Sequence, residues 1–519
     1  MRVNSSKEFW INTGILIVIL VLVNTIALSL FHRFDLTEGH IYSISKATKS
    51  VLSNLQDRVL VKVYFSKTLP PQYANTRRFL KDILDEYQAY GHGKFHYEFY
   101  NPENSEELKK EAQKNRIPPL RSQVYEKDKF VSKVVYMGMV FLYQGQKEVI
   151  PVIENTQGME YDITTTIKRL SSQELVKIAF LKGHNELDRL KSSREMLEKY
   201  YQVQDLTIIE GETIPYDIET LIIAGVKDSL SDWDLFAIDD YIMNGGNVIV
   251  FQDRIDADLQ NIRTNNIKTN LYDLLSHYGV KINNDLLIDA QNNPIQVQQM
   301  QGFFRMVSTV AYPLFPKITN LNKNNLITKN IGELSLFFAS TLDTTGLGKD
   351  KHFEVLFSSS KQSGTMRGRS MNINPFQNEE IKKFDDKQYI LGGILTGKLT
   401  SYFADNEKFS DRIVHKETQN SRLLIVGDAD LIDDKGGGGI ESNQNFFLNS
   451  IDYMTQDQGF ISLRSRAASS RPLKEVSAGL RKTIKWINVL LPALLSIVLG
   501  LIIFQINTNR RKVVKAIYE

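Results

Sequence analysis

The chain has 519 residues, enough for two or three domains with a core apiece. Its 63 Lys and Arg nearly balance 60 Asp and Glu, for a formal charge of +3, so it lacks the electrostatic footprint of a nucleic-acid binder. It contains no cysteine, which excludes disulfides, thiolate metal sites and a cysteine nucleophile.

After a short segment, 1–10, an apolar stretch runs from Ile11 to Phe31. Its length suits a helix crossing the roughly 30 Å hydrocarbon core of a bilayer. Ala27-Leu28-Ser29 loosely resembles a signal-cleavage site. An apolar run of about 20 residues nevertheless exceeds the roughly 7–15 of a signal h-region, so an uncleaved anchor is expected.

Region 32–170 follows. Ser45 is placed to N-cap a helix from Lys46 to Leu55. Val59 to Tyr64 alternates as a strand, and Phe79, Ile83, Leu84 and Tyr87 repeat at helical spacing across Arg77 to Tyr90. A strand from Lys94 to Tyr100, a polar helix from Ser105 to Lys114, strands over Lys133–Tyr143 and Glu148–Val152, and a helix from Met159 to Leu170 complete it. This β-α-β-α-β-β-α order is that of a thioredoxin-like domain. A cis proline opens the third strand of that fold, and Pro118 is either its counterpart or a trans proline in an ordinary loop.

Region 171–460 alternates strands with helices. Strands are expected at Val176–Leu181, Gln204–Ile209, Thr220–Ala224, Asn247–Phe251, Val280–Ile288 and Arg422–Val426. Helices are expected at Arg189–Tyr201, Ser231–Met243, Thr269–Tyr278 and Asn443–Met454. The pattern argues for right-handed crossovers and an open parallel sheet covered on both faces. Near 289–420 it degrades into Asn- and Gln-rich stretches, read as long loops or an inserted subdomain, and Gly436 to Gly439 reads as a mobile loop.

A basic linker, 461–483, leads to a second apolar segment, 484–506, centred on Trp486 to Ile506, and to a basic tail, 507–519. The bases flanking the spans, Arg2 and Lys7 before the first and Arg510, Arg511, Lys512 and Lys515 after the second, place both termini in the cytoplasm and the body outside. Arg481, Lys482 and Lys485 run against that rule without reversing it.

Two polar clusters sit where parallel sheets bind ligands, at carboxyl strand ends. His184, Glu186 and Asp188 could hold a metal or small polar ligand, or simply start the next helix. Asp428 and Asp430 could attract a hard cation, or form a capped turn. Arg464, Arg466, Arg471, Arg481 and Lys482 either contact acidic headgroups or a partner, or form a solvated linker. There is no P-loop, no G-x-G-x-x-G after a strand, no G-x-S-x-G elbow and no H-E-x-x-H helix.

Several segments together are similar to the gliding-motility ABC-transporter auxiliary proteins, the GldG type. They are Arg33-Phe34-Asp35-Leu36-Thr37, Tyr42-Ser43-Ile44-Ser45, Met159-Glu160-Tyr161-Asp162-Ile163, Gly183-His184-Asn185-Glu186, Ile238 to Met243 with Gly245-Gly246, Asn445 to Asn449, and Leu463-Arg464-Ser465-Arg466. Asp240 departs from the pattern, where Gln is expected on what reads as a helix surface. The resemblance implies a non-enzymatic, inner-membrane auxiliary subunit with a periplasmic body and no cofactor, acting with a separate permease and ATPase and with a periplasmic or envelope partner. It implies a second domain of flavodoxin-like or class I glutamine-amidotransferase-like fold. Two alternatives stand beside it: an envelope-polysaccharide hydrolase using the Gly183 to Asp188 turn and the Asp428/Asp430 cluster, and a structural scaffold of the gliding machinery.

Overall fold

The computed structural model describes residues 43–455 apart from 68, 71–72, 127–128, 154–155, 157, 173–174, 302–303, 406, 410–411 and 413–414, together with residues 10, 13–19, 461, 463, 485, 488, 490–491 and 497–511. The chain divides into two compact units, Met1–Ser469 and Ser470–Glu519. Much of Ile11–Phe31 and of Trp486–Ile506 lies outside the described residues. Among those described, no helix is long and apolar enough to cross a membrane. Residues 13–19 and 497–511 are helical.

The first domain opens with helix α1, Lys46–Ser53, and Ser45 caps it by accepting the Thr48 N–H at 3.1 Å. Strand β1 (Val59–Phe65), helix α2 (Ala74–Tyr90), strand β2 (Phe95–Tyr100) and helix α3 (Glu106–Lys114) follow. A ribbon of β3 (Leu120–Glu126) and β4 (Lys129–Val135) pairs only with itself among the described residues. Then come β5 (Met137–Tyr143), β6 (Gln146–Ile150) and α4 (Met159–Ser171). The sheet order is β2-β1-β5-β6, with β1 parallel to β2 and antiparallel to β5.

Lys133–Tyr143 is therefore two strands. The break falls at Tyr136, whose N–H donates to Ser66 Oγ at 3.0 Å while its carbonyl accepts the Ser66 N–H. Pro118 is trans and precedes the ribbon, and Tyr136 is the residue before the third core strand. Glu160 at the start of α4 accepts the Ser45 N–H at 2.6 Å and the Thr48 hydroxyl at 2.7 Å. One carboxylate thus joins the first and last helices of the domain at the end of α1 that favours negative charge.

The second domain contributes β7 (Lys177–Lys182), α5 (Lys191–Leu197), β8 (Gln202–Thr207), β9 (Ile218–Ala224), α6 (Asp232–Met243), β10 (Asn247–Phe251) and α7 (Leu271–Tyr278). After an insertion containing β11 (Asn292–Gln301), β12 (Phe304–Ile318), β13 (Lys351–Ser358) and β14 (Ile390–Gly397), it closes with β15 (Leu423–Val426) and α8 (Glu441–Met454). Five strands run parallel in the order β8-β7-β9-β10-β15, and β14 and then β13 extend the sheet antiparallel.

The parallel strands read as unbroken apolar runs because successive side chains enter opposite cores. Leu221, Ile223, Val248, Val250, Leu423 and Ile425 pack under α6 and α7. Ile222, Ile249, Phe251, Leu424 and Val426 meet Phe446, Phe447 and Ile451 of α8.

The insertion is more ordered than its composition suggests. β11 and β12 form a long ribbon, and β13 and β14 belong to the main sheet. The single strand expected over Val280–Ile288 is two short strands in different sheets. The chain turns between them because the buried Asp285 carboxylate accepts both the N–H and the hydroxyl of Thr341. Gly436–Gly439 is a packed turn rather than a mobile loop. The Gly437 N–H donates to the Asp430 carbonyl at 2.8 Å, and a Cβ on Gly437 would lie 2.1 Å from the Asn443 amide.

Asp240 is 8 % exposed, so it does not lie on a helix surface as expected, and burial raises its carboxyl pKa. Its neighbour Asp239 is buried deeper and accepts the Tyr278 hydroxyl, the Ser401 hydroxyl at 2.5 Å and the Tyr402 N–H at 2.9 Å. Asp239→Ala would leave three donors unpaired and is expected to cost about 3 kcal/mol, readable by guanidinium denaturation followed by circular dichroism. A loss under roughly 0.5 kcal/mol, the range of ordinary surface substitutions, would show that the carboxylate does not hold α6 to α7.

Candidate functional site

β7 has β8 on one side and β9 on the other, so the loops leaving their carboxyl ends diverge. This is the position at which open parallel sheets form a ligand crevice. Here the crevice is filled by the chain's own groups. The His184 carbonyl accepts the N–H groups of Lys227 and Asp228, and the Leu187 N–H donates to the Ala224 carbonyl. Gly225 has φ +63°, and a Cβ on it would come within 2.7 Å of Leu187 Cγ. One strand further on, the buried Gln252 side chain clamps Val226, accepting its N–H at 2.8 Å and donating to its carbonyl at 3.0 Å.

His184 is buried between two acids. Nδ1 lies 3.2 Å from Glu186 Oε1 and Nε2 lies 3.0 Å from Asp234 Oδ2. The Glu186 carboxylate also accepts the His184 N–H at 2.7 Å. Asp234 is the third helical residue of a capping box with Ser231, so helix capping holds it where it meets the imidazole. The bond to Glu186 is the largest influence raising the His184 pKa; burial opposes it and Asp234 adds to it. Both carboxyls are held below their usual range despite burial, Glu186 by His184 and Asp234 by Ser231 and His184. Asp188 is exposed and takes no part in this pairing.

Asp428 and Asp430 belong to a separate group at the ends of β10 and β15. Asp428 is fully buried and accepts the N–H groups of Phe337 at 2.7 Å and Leu431 at 3.1 Å. Asp253, also buried, accepts the Ala429 N–H at 3.0 Å. Burial, then the charge of Asp430, pushes both carboxyls well above the usual range. The Asp430 carboxyl is itself pushed up to about 6 by burial and by Asp433 and Asp256, while Arg189 and Lys227 pull the other way. Those two cations are committed: Arg189 forks onto Asp433 at 2.7 Å, and Lys227 pairs with Asp256 at 2.7 Å.

Glu186 and Asp234 are thus paired with an imidazole, whereas Asp253 and Asp428 are bound to backbone N–H groups. Among the described residues, no three His, Asp or Glu side chains are grouped to hold a metal ion. Arg464, Arg466, Arg471, Arg481 and Lys482 lie outside the described residues.

Sequence reasoning missed Asp234 and Asp253. A Ser-x-x-Asp box and a carboxylate two residues beyond a strand are the signals that mark them.

A profile described as an ABC-type uncharacterized transport system matches residues 176–456, and one described as a domain of unknown function matches 38–142. An uncharacterized protein of Borreliella burgdorferi is 25 % identical over 533 aligned positions, covering 99 % of this chain and all of the relative. Among solved structures, the mmIFT52 N-terminal domain is 15 % identical with a TM-score of 0.32, covering 54 % of this chain and 97 % of its own. A putative ThuA-like protein from Parabacteroides merdae is 10 % identical with a TM-score of 0.29, covering 59 % and 94 %. At such TM-scores the structural likeness carries no argument about fold or function.

Because the folded-state pKa of His184 exceeds the ordinary 6.5, its ion pairs stabilise the fold fully below that value and lose their effect as pH rises through the folded pKa. Thermal stability is expected to fall on that alkaline side in the natural chain and to flatten there in His184→Gln. Identical pH profiles for the two proteins would show that His184 is not held as an imidazolium.

Proposed function

This chain belongs to the family of auxiliary proteins of ABC-type uncharacterized transport systems, and from that premise we propose that it is a membrane-anchored, non-catalytic subunit packing beside a permease. The match over 176–456, which contains the whole parallel sheet, is the observation that carries this reading. A separate ATPase supplies hydrolysis, and the body presents a binding or coupling surface outside the inner membrane. Association with gliding machinery is the finer part of the proposal and rests on the segments running from Arg33 to Arg466. The strand order 2-1-3-4-5 of the main sheet supports a flavodoxin-like second domain, and β2-β1-β5-β6 supports a thioredoxin-like first one.

The self-contained hydrogen bonding at the strand ends favours a scaffold over a catalyst. His184, Gln252, Asp253 and Asp428 are each engaged by the chain itself.

The anchoring proposal draws on exposed apolar side chains among the described residues of the two terminal stretches. Ile15 to Ile19 are each more than half exposed, as are Leu499, Leu501, Ile502, Ile503 and Phe504. Leaving so much adjacent apolar surface in water is costly at about 25 cal/mol per Å², and lipid removes that cost.

Extraction in mild detergent is expected to bring down a multi-span permease and an ATPase with this chain. Recovery as a lone, stable protein in several such detergents would sink the subunit reading. Topology is testable because the natural chain has no cysteine. Tyr216 is 69 % exposed, and Tyr216→Cys is expected to react with a membrane-impermeant maleimide in intact spheroplasts. Labelling only after lysis would place the body in the cytoplasm.

A further inference from the structure

Two segments of the second domain, 259–268 and 361–378, together carry Arg263, Lys268, Lys361, Arg367 and Arg369 and contain no acidic residue. The fold joins them side by side. Arg263 and Asn372 form an antiparallel bridge, the Ile373 N–H donates to the Ile262 carbonyl, and the Met371 N–H donates to Thr264 Oγ1 at 2.8 Å. Arg263 and Arg369 are exposed and carry no ion pair among the described residues. Among the described residues, the one ion-pair partner of Arg367, itself 68 % exposed, is the buried Asp285 at 3.5 Å. Three acids that flank these segments are engaged within the chain, Glu379 pairing with Lys382 at 3.1 Å. Asp258 accepts the N–H groups of Gln260 and Asn261 in its own turn, and Asp256 pairs with Lys227.

Large apolar side chains stand among these cations. Leu259 is 65 % exposed, Phe376 44 % and Ile262 40 %. Ile262 has φ +55°, a left-handed conformation that a β-branched residue adopts only under constraint from its surroundings. Glycine would sit there without strain. The chain instead keeps a strained isoleucine there with 40 % of its surface in solvent.

We propose that this face docks an acidic, amphipathic segment of a partner protein, its carboxylates on the arginines and its apolar side chains on Leu259, Ile262 and Phe376. Charge complementarity defines the partner, since uncompensated cations with apolar neighbours match a segment carrying the opposite charge and its own apolar residues. Arginine rather than lysine occupies the centre, and its planar fork suits bidentate carboxylate pairing. A lipid headgroup layer needs only diffuse positive charge, which lysine supplies equally well. The inference goes beyond the transporter reading and stands whether or not a permease binds.

The test uses the full chain held in phosphatidylcholine nanodiscs. Fluorescence anisotropy would follow a labelled helical peptide of Leu and Glu, with Leu/Lys and Leu/Ser peptides of equal length as controls. Saturable binding of the Leu/Glu peptide alone, weakening as salt is raised, is expected. The Arg263→Glu/Arg369→Glu variant is expected to weaken it about tenfold or more, the size of one lost charge-assisted contact. Ile262→Gly relieves the left-handed strain at the cost of some apolar burial and keeps the backbone bridge, and it is expected to bind several-fold more weakly with its circular dichroism unchanged. Equal binding of the Leu/Glu and Leu/Ser peptides would overturn the proposal. So would unchanged affinity in both variants, or binding to phosphatidylglycerol vesicles in place of the peptide.

Discussion

Parallel pairing of Val248–Phe251 with Leu423–Val426 is the contact on which the second domain depends. It joins strands separated by everything from Gln252 to Arg422, and closing so long a chain segment costs only slightly more than closing a short one. Asn247 secures one end, its side chain accepting the Arg422 N–H and donating to the Met454 carbonyl. At the other end the Gln252 N–H donates to the Val426 carbonyl and Asp253 accepts the Ala429 N–H. With both ends held, the apolar side chains of β10 and β15 fill the two cores in step, and α8 packs onto one of them. The insertion leaves and rejoins the sheet at neighbouring strands, so it can carry its own small core around Tyr312, Leu314 and Met366 without disturbing the parallel order.

The same closure explains why the strand ends are quiet. A crevice at this position is a frequent ligand site because loop N–H groups and side chains are left facing it. In this chain those groups are consumed internally, by Asp253 and Asp428 on backbone N–H groups, by Gln252 on Val226 and by His184 between Glu186 and Asp234. Buried carboxylates are costly in a low-dielectric interior unless each is hydrogen-bonded or neutral. The burial of Asp253 and Asp428 therefore ties these residues to architecture. Among the described residues, Arg263 and Arg369 are exposed without an ion pair, and Ile15 to Ile19 and Leu501 to Phe504 are exposed apolar side chains.

Much of this was legible from residue order alone. Period-two and continuous apolar runs marked β1, β7, β9 and β10, and Ser45 and Ser231 marked helix starts, because these signals are local and each element answers to its own pattern. The strand-end residues His184, Glu186, Asp428 and Asp430 were also visible, since a polar cluster after an apolar strand is itself a local pattern. What could not be read was which of them meet. Asp234 reaches His184 from a helix 50 residues away, and Asp253 reaches Ala429 across 176 residues. The turn at Asp285 needs Thr341, and the packing of Gly437 needs Asn443.

The sequence by itself determined the element types, the alternation that demands a two-sided parallel sheet, the absence of cysteine chemistry and the two terminal apolar stretches, because each follows from composition or short-range spacing. Tertiary structure alone decided which strand-end acids meet His184 and which meet backbone N–H groups, and that the Asn- and Gln-rich region forms a ribbon and sheet edges. It also decided that Arg263 and Arg369 share a face with Ile262. Those outcomes depend on hydrogen bonds and burial between distant segments, and which pairs form is settled only once the whole core has closed. The terminal stretches, read first as anchors, keep that reading as a proposal, and the folded body adds a second surface through which the chain can act.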